Sequence, residues 1–297
     1  MLGRNNRNQR NKPNTHGDRN RPSGNGGRTA NTKVSPTLED WGTARQFKTT
    51  KFEIKVGVDK LINDIRISLN KITNTTYDKL RDAIIKIIHE IHEEDADEDS
   101  SSSDEEQKTE KVSGLSRVCS IISDIAASNK FYSEMYAKLY LEIIQINDFA
   151  ETFRCSMNDI VNKFPLSFDS YVYVDESVDM DGFCNMNKLN DKRKATAMFI
   201  VNLMKLNAIE TNSITNIINV LLGRILNNMT SSEKTKEIEE IAENLFVLVK
   251  NSKSILETTE EWNTDILPNI QKLSNSSIKQ DNPGISSRAV FKFMDML

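Results

Sequence analysis

The histidines are the first residues to consider for chemistry, because imidazole serves as a base or a metal ligand near neutral pH. His89 and His92 stand three residues apart, each followed by a glutamate, so a helix would bring them to one side. A zinc site needs three or four ligands, and the nearest cysteine, Cys119, lies beyond an acidic run. His16 stands alone in a basic segment, so no histidine-based catalytic triad is expected. We predict no metal site.

The segment SVDMDG at residues 177–182 resembles part of a calcium-binding loop. With Gly182 at the sixth position, Ser177 would be first and Lys188 twelfth, where the loop needs an oxygen ligand and a bidentate glutamate. Neither phosphate-binding pattern, G-x-x-x-x-G-K-[ST] or G-x-G-x-x-G, occurs in the chain. We therefore expect no calcium site, no cofactor, no catalytic residues and no enzymatic activity.

The N-terminal segment concentrates positive charge. Residues 1–37 hold eight Lys or Arg residues and one Asp, although the whole chain has a net charge of −4. The basic residues are Arg4, Arg7, Arg10, Lys12, Arg19, Arg21, Arg28 and Lys33. Asn, Gly and Arg cannot offset the entropy of ordering, so residues 1–51 are predicted to be a disordered tail and linker. The tail is either an RNA-binding arm that contacts phosphates and unpaired bases, or simply a solubilising segment.

A second basic cluster comprises Lys192, Arg193 and Lys194, which stand where a helix is predicted to begin. Cations at that position oppose the helix dipole. The cluster could contact RNA phosphates, or an exposed helix start could simply tolerate it. We include the three residues in the candidate RNA-binding set together with the basic arm.

Apolar residues recur at three- and four-residue spacing, which indicates the helices that must position these groups. The stripes cover residues 58–69, 77–91, 115–125, 132–143, 153–164, 195–206, 214–225, 238–248 and 262–273, and RAVFKFMDML closes the chain. Between the first two stripes, Thr73, Asn74 and Thr75 are helix-capping types, so LNKITNTTYDKL predicts a helical elbow. We predict an all-α fold over residues 52–297: a HEAT-like α-solenoid of about five antiparallel helix pairs, suited to binding partners.

Two segments interrupt the predicted stack. Residues 93–106 contain nine acidic side chains, so we predict a disordered acidic loop at 93–111, in which Ser102 or Ser103 could be phosphorylated. A longer loop is predicted at 165–190, with Pro165 closing the preceding helix.

The cysteines and the hydropathy pattern bear on location. Three cysteines without a C-x-x-C pair favour a reducing compartment. No apolar run approaches the ~18 residues of a membrane span, and no secretory signal is visible. The Arg-rich N-terminus suggests a mitochondrial presequence as an alternative, although it lacks an apolar face. We predict a cytoplasmic protein without membrane contact.

Four motifs in a consistent order carry a family resemblance. They are LNKITNTTYDKL, GLSRVCSIISDIAASNKFYSEMYAKLY, NDKRKATAMFIVNLMKLNAI and ISSRAVFKFMDML. The second includes the pair Tyr136-Ala137, and the third ends in Leu203-Met204-Lys205-Leu206. Residues 52–297 thereby resemble the middle domain of eukaryotic translation initiation factor 4 gamma.

The resemblance implies five helical hairpins of the HEAT type that hold both lobes of a DEAD-box RNA helicase, the 4A subunit of the cap-binding complex. It implies helicase contacts by Trp41, Phe47 and Phe52 ahead of the first hairpin and by Arg288 and Phe291 in the last helix. Trp41 could instead fold back on the first helix pair. Messenger RNA, other initiation factors and the small ribosomal subunit are further implied partners.

The chain departs from the family pattern in one informative way. Its basic tail contains no tyrosine, so the Y-x-x-x-x-L-φ motif for the cap-binding subunit is absent there. Helicase and RNA binding remain the expected functions. The alternatives are a middle-domain scaffold in nonsense-mediated decay, nuclear cap binding or splicing, and an RNA-binding assembly protein that uses no helicase.

Overall fold

Ten α-helices account for most of the residues that the structure, a computed structural model, describes: 56–101, 113–276 and 281–297. These ranges contain no strand, so the all-α prediction is confirmed. The helices are α1 (Val58–Asn70), α2 (Tyr77–Ser101), α3 (Gly114–Ser128), α4 (Ser133–Ile144), α5 (Asn147–Leu166), α6 (Met180–Lys205), α7 (Thr211–Asn228), α8 (Thr235–Leu256), α9 (Leu267–Ser274) and α10 (Ser287–Met296). A π-helical turn, Trp262–Ile266, leads into α9.

The helices contact one another in two rows. Odd-numbered helices pack in chain order, α1 on α3, α3 on α5 and α5 on α7, and α7 contacts the π-helical turn before α9. Even-numbered helices do the same, α2 on α4, α4 on α6, α6 on α8 and α8 on α10. Helices that follow each other in sequence pack across the two rows, for example α1 on α2, α7 on α8 and α9 on α10.

Two apolar cores fill the space between the rows. The first is built by α1 to α5 with two residues of α6, Phe199 and Leu203. The second runs from the end of α5 through α10 and includes the aromatic side chains of Phe164, Trp262 and Phe293. Because α5 and α6 contribute to both cores, these two helices join the N-terminal and C-terminal parts of the described unit.

The elbow between α1 and α2 forms as predicted, but its hydrogen bonds differ from simple capping. The Thr76 hydroxyl donates to the Lys71 carbonyl at 2.9 Å and accepts from the Thr73 backbone N–H at 2.9 Å. Thr76 therefore ties the turn to the end of α1 instead of satisfying the first free N–H groups of α2.

Several predicted boundaries are wrong. Helix α2 continues to Ser101, so residues 93–101 of the predicted acidic loop are helical, and residues 102–111 lie outside the described residues. Pro165 lies inside the last turn of α5, which ends one residue later, at Leu166. Helix α6 begins at Met180, so the second predicted loop is shorter than 165–190. In the described ranges, no helix is both long and apolar enough to span a membrane.

Candidate partner-binding surface

The outer face of the last helix, α10, combines exposed apolar and basic side chains. One face of α10 packs into the second core through Ala289, Val290, Phe293 and Met296. The opposite face leaves Phe291 64% exposed and Met294 49% exposed. Ser286 caps the N-terminus of the helix, because its hydroxyl accepts a hydrogen bond from the Ala289 N–H at 3.3 Å. Of the predicted helicase contacts, Arg288 and Phe291 therefore lie on one exposed helix.

A carboxylate of α8 organises the basic residues of this face. Glu243 lies 3.0 Å from the Arg288 guanidinium and 3.1 Å from the Lys292 ammonium. Burial alone would raise the pKa of Glu243, but hydrogen bonds from Arg288 and Lys292 outweigh burial and lower it. The Arg288 side chain remains 66% exposed, so it is oriented by Glu243 and still accessible to a partner. Lys292 also lies over the Phe246 ring, 4.5 Å from its centroid.

The structure corrects the placement of the basic triplet. Lys192, Arg193 and Lys194 lie in the middle of α6, not at a helix start, so the argument from the helix dipole does not apply. Lys192 forms an ion pair with Asp124 of α3 at 3.2 Å, and Lys194 pairs with Asp191 at 3.0 Å. Both lysines keep part of their surface in contact with solvent and stay candidates for phosphate contact.

Arg193 has a structural position instead. It is 7% exposed, and its guanidinium donates to the Ser167 carbonyl at 2.8 and 3.2 Å and to the Asn190 side chain at 2.8 Å. Its guanidinium carbon lies 5.3 Å from the Phe168 ring centroid and 5.6 Å from that of Tyr171. Burial lowers the pKa of Arg193. Because its donors are used inside the protein, we withdraw Arg193 from the RNA-binding set.

A groove of about 750 Å³ lies between α3, α5 and α6. Two cysteines line it. Burial raises the pKa of Cys119, and a hydrogen bond to Glu151 raises the pKa of the exposed Cys155 thiol. A reactive cysteine typically has a lowered pKa, so neither thiol has the environment of an activated nucleophile.

The residues considered for metal binding have packing and capping roles. His89 and His92 both pack edge-on against Phe149, with ring centroids 4.5 and 5.8 Å away. Asp179 of the SVDMDG segment caps α6, because its side chain accepts a hydrogen bond from the Gly182 N–H at 2.9 Å. Across residues 56–101, 113–276 and 281–297, no three His, Cys, Asp or Glu side chains are grouped so as to hold a metal ion.

The remaining predicted site residues lie outside the described residues. These are the helicase-binding candidates Trp41, Phe47 and Phe52 and the basic-arm residues Arg4, Arg7, Arg10, Lys12, Arg19, Arg21 and Arg28.

Sequence reasoning missed the acidic partners, above all Glu243 and Asp124. Each pairs with a cation distant in the chain, Glu243 with Arg288 and Asp124 with Lys192. Nothing local in the sequence distinguishes these acids from others on the same helices.

Comparisons with known proteins add no identification. No protein-family model matches the chain. No curated protein matches it either.

Proposed function

We propose that the protein is a HEAT-like α-solenoid scaffold that binds a DEAD-box RNA helicase of the initiation factor 4A type and RNA, and that promotes recruitment of messenger RNA to the ribosome. The scaffold performs no reaction itself. It holds the two helicase lobes in a favourable arrangement, and the helicase hydrolyses ATP.

The two-row packing is the observation that carries this proposal. Even helices contact even helices from α2 to α10, and odd helices contact odd helices from α1 to α7, which then contacts the π-helical turn before α9. This pattern is expected for antiparallel hairpins stacked side by side. Each hairpin has an apolar face that it cannot bury alone, so stacking creates one extended surface along each row. Such a surface suits a large protein partner better than a small substrate.

The face of α10 supplies the proposed helicase contact within the described residues. An exposed aromatic side chain beside an accessible arginine has the composition of interface hot spots, in which Trp, Tyr and Arg are enriched. Phe291 and Arg288 provide this pair. Trp41, Phe47 and Phe52 are proposed as further contacts on the basis of the family resemblance.

RNA binding is proposed for the basic arm, assisted by Lys192 and Lys194. The arm concentrates positive charge on an otherwise acidic chain, so we propose that its basic side chains contact RNA phosphates. Its contribution to RNA affinity should fall steeply with salt.

The test combines binding and ATPase measurements with the full chain. Purified protein is mixed with a helicase of the 4A type, and co-elution and RNA-stimulated ATPase are followed. We expect a complex, faster ATP turnover, and a loss of affinity of about 30-fold for Phe291→Ala, corresponding to ~2 kcal/mol. The matched control is Phe131→Ala, which removes a phenylalanine that is 85% exposed on the turn between α3 and α4.

The possible results separate the proposals. No complex and no stimulation would refute the helicase scaffold. If RNA binding alone survives, and deleting residues 1–37 abolishes it, the chain is an RNA-binding assembly protein instead. Equal losses for Phe291→Ala and Phe131→Ala would show that α10 is not the contact.

A further inference from the structure

A second cleft, of about 300 Å³, lies between α6, α8, α10 and the chain that precedes α6. Aromatic side chains from the 167–179 segment and α6, including Tyr171 and Phe183, form one side. Lys194 and Arg288 lie at its edge, and Glu240 of α8 contributes the most buried carboxylate, with 8% of its surface exposed. The volume suits one long side chain and is small for a drug-sized ligand.

Among the residues that the structure describes, Glu240 differs from the other glutamates of α8 in having no cation within ion-pair distance. Glu237 pairs with Arg224 at 2.6 Å, Glu239 with Lys236 at 3.0 Å, and Glu243 with Arg288 at 3.0 Å. Within the described ranges, no Lys, Arg or His nitrogen lies within 4.0 Å of the Glu240 carboxylate. A buried carboxylate is costly unless it is paired, so this arrangement leaves one favourable interaction unmade.

The hydrogen bonding of Glu240 is also incomplete. The buried Asn244 side chain donates to Oε1 of Glu240 at 2.9 Å and to its backbone carbonyl at 2.8 Å. For Oε2 of Glu240, no donor is found among the described residues. Asn244 thus fixes one oxygen, and the other oxygen is free to accept a hydrogen bond from a group that enters the cleft.

The resident cations of the cleft already have partners. Lys194 pairs with Asp191, Lys236 with Glu239, and Arg288 with Glu243. Lys236 and Arg193 also lie near the faces of Tyr173 and Tyr171, at 5.8 and 5.6 Å. The cleft therefore holds several of the protein's own cationic side chains beside aromatic rings and carboxylates. Among the described residues, the Glu240 carboxylate has no cation paired with it in this way.

We propose that this cleft binds the guanidinium group of an arginine side chain from a partner protein, with Glu240 as its carboxylate. A guanidinium is planar, less strongly hydrated than an ammonium, and able to donate while stacking on an aromatic ring. The inference depends on the cleft alone and does not require the partner to be a helicase.

The affinity of the cleft for arginine should depend on pH through the ionisation of Glu240. Burial raises the pKa of Glu240 to about 7, although Lys194, Asn244 and Arg193 act to lower it. The ionisable groups that face it are Arg193 and Lys194 of α6, Tyr171 of the preceding segment, Lys236, Glu239 and Glu243 of α8, and Arg288 of α10. Burial, followed by the charge of Glu240, raises the pKa of Tyr171 to about 12, so this phenol stays neutral from pH 6 to 8. Arginine binding should therefore strengthen by about tenfold from pH 6 to pH 8, because Glu240 ionises over that range.

The experiment titrates the full chain with N-acetyl-arginine amide and follows the Asn244 side-chain amide resonance by NMR. N-acetyl-citrulline amide, which has the same shape without the charge, and N-acetyl-lysine amide are the comparison probes. We expect a saturable shift with the arginine probe, at least tenfold weaker binding of the citrulline probe, and weaker binding of the lysine probe. Glu240→Gln should remove the arginine response, whereas Glu257→Gln, which removes a charge directly after the same helix and outside the cleft lining, should keep it.

Several results would overturn the proposal. They are no saturable shift at pH 8, equal binding of the citrulline probe, tighter binding of the lysine probe, and an unchanged response in Glu240→Gln. The pH dependence of the unaltered protein gives a test that does not depend on a variant folding correctly. An affinity that is constant from pH 6 to 8 would exclude Glu240 as the carboxylate that binds arginine.

Discussion

Replacing Arg193 with glutamine removes a buried guanidinium that joins the end of α5 to the middle of α6. The side chain makes two donations to the Ser167 carbonyl and one to Asn190. Hydrogen bonds from a charged group contribute about 1.5–3 kcal/mol each, and the Ser167 carbonyl would lose its charged donor. The gain from no longer burying a cation offsets part of this loss. We expect Arg193→Gln to lower the free energy of unfolding by about 2–4 kcal/mol.

The magnitude translates into a measurable change in thermal stability. For a domain of this size, 1 kcal/mol corresponds to roughly 2–4 °C in Tm, so Arg193→Gln should lower Tm by about 5–15 °C. The matched variants are Lys192→Gln and Lys194→Gln on the same helix. Their ion pairs are partly exposed, and such pairs contribute about 0–1 kcal/mol, so Tm should change little.

RNA affinity should rank these variants in the opposite order to thermal stability. With single-stranded RNA followed by fluorescence anisotropy over a salt series, the two lysine variants should bind more weakly and with a shallower salt dependence. Arg193→Gln, measured well below its Tm, should bind as the unaltered protein does. If Arg193→Gln keeps its Tm and loses RNA affinity, the guanidinium serves RNA and the structural assignment is wrong.

Gly114→Ala should destabilise the protein by about 1–3 kcal/mol in urea unfolding, because the added Cβ would lie 2.8 Å from Cγ2 of Ile91. Gly223→Ala is the control: its Cβ would have no atom within 4 Å, so this change should stabilise the protein by about 0.5–1 kcal/mol. Asp95→Ala removes the acceptor for two N–H groups at the start of α3, each 2.9 Å away. In the same assay it should lower the free energy of unfolding by about 1–2 kcal/mol. Glu94→Ala, at an exposed position next to it, should lower it by less than about 0.5 kcal/mol. Burial raises the pKa of Glu240 to about 7, so folding favours its protonated form; this contribution is complete below pH 4.5 and is lost as pH rises through 7. Glu240→Gln should therefore gain up to about 3 kcal/mol relative to the unaltered protein between pH 4.5 and 8, and a constant difference would contradict the assignment.

The helical fold was predictable because apolar spacing determines which side of a helix is buried. The stripe in α7 is an example, since Ile214, Ile218, Leu221 and Ile225 are all fully buried. Spacing of this kind is a property of the local sequence and needs no knowledge of the partner helix. The apolar spacing therefore predicted ten helical segments in about five pairs. The predicted positions of the helix ends were less accurate than the predicted number of helices.

The start of α6 was missed because polar residues occupy its buried positions. Met186, Asn190 and Arg193 all face the interior, but two of these three are polar and hydrogen-bond to each other. A pattern based on apolar residues therefore loses the stripe over this half of the helix. The contacts of Arg193 with Ser167 and Phe168, together with the Asp179 cap, stabilise this half of the helix.

The acidic run was misjudged for a related reason. Its composition gives no apolar face, so a loop was predicted, yet Asp95 accepts hydrogen bonds from the Gly114 and Leu115 N–H groups at the start of α3. That acceptor links positions 19 and 20 residues apart. Composition does not distinguish a solvated acid from one that caps a neighbouring helix.

The glutamates of α8 show why a binding surface is harder to predict than a fold. Glu237, Glu239, Glu240 and Glu243 look equivalent in the sequence EIEEIAEN. Glu239 pairs locally with Lys236, three residues earlier on α8. The partners of Glu237 and Glu243 come from α7 and α10, 13 and 45 residues away, and no local pattern predicts them. The packing of the helices against one another determines which of these carboxylates is paired within the protein and which one is not. For the proposed scaffold, specificity for a partner depends on groups that have no partner within the protein, so we expect changes at Glu240 and Phe291 to alter partner binding.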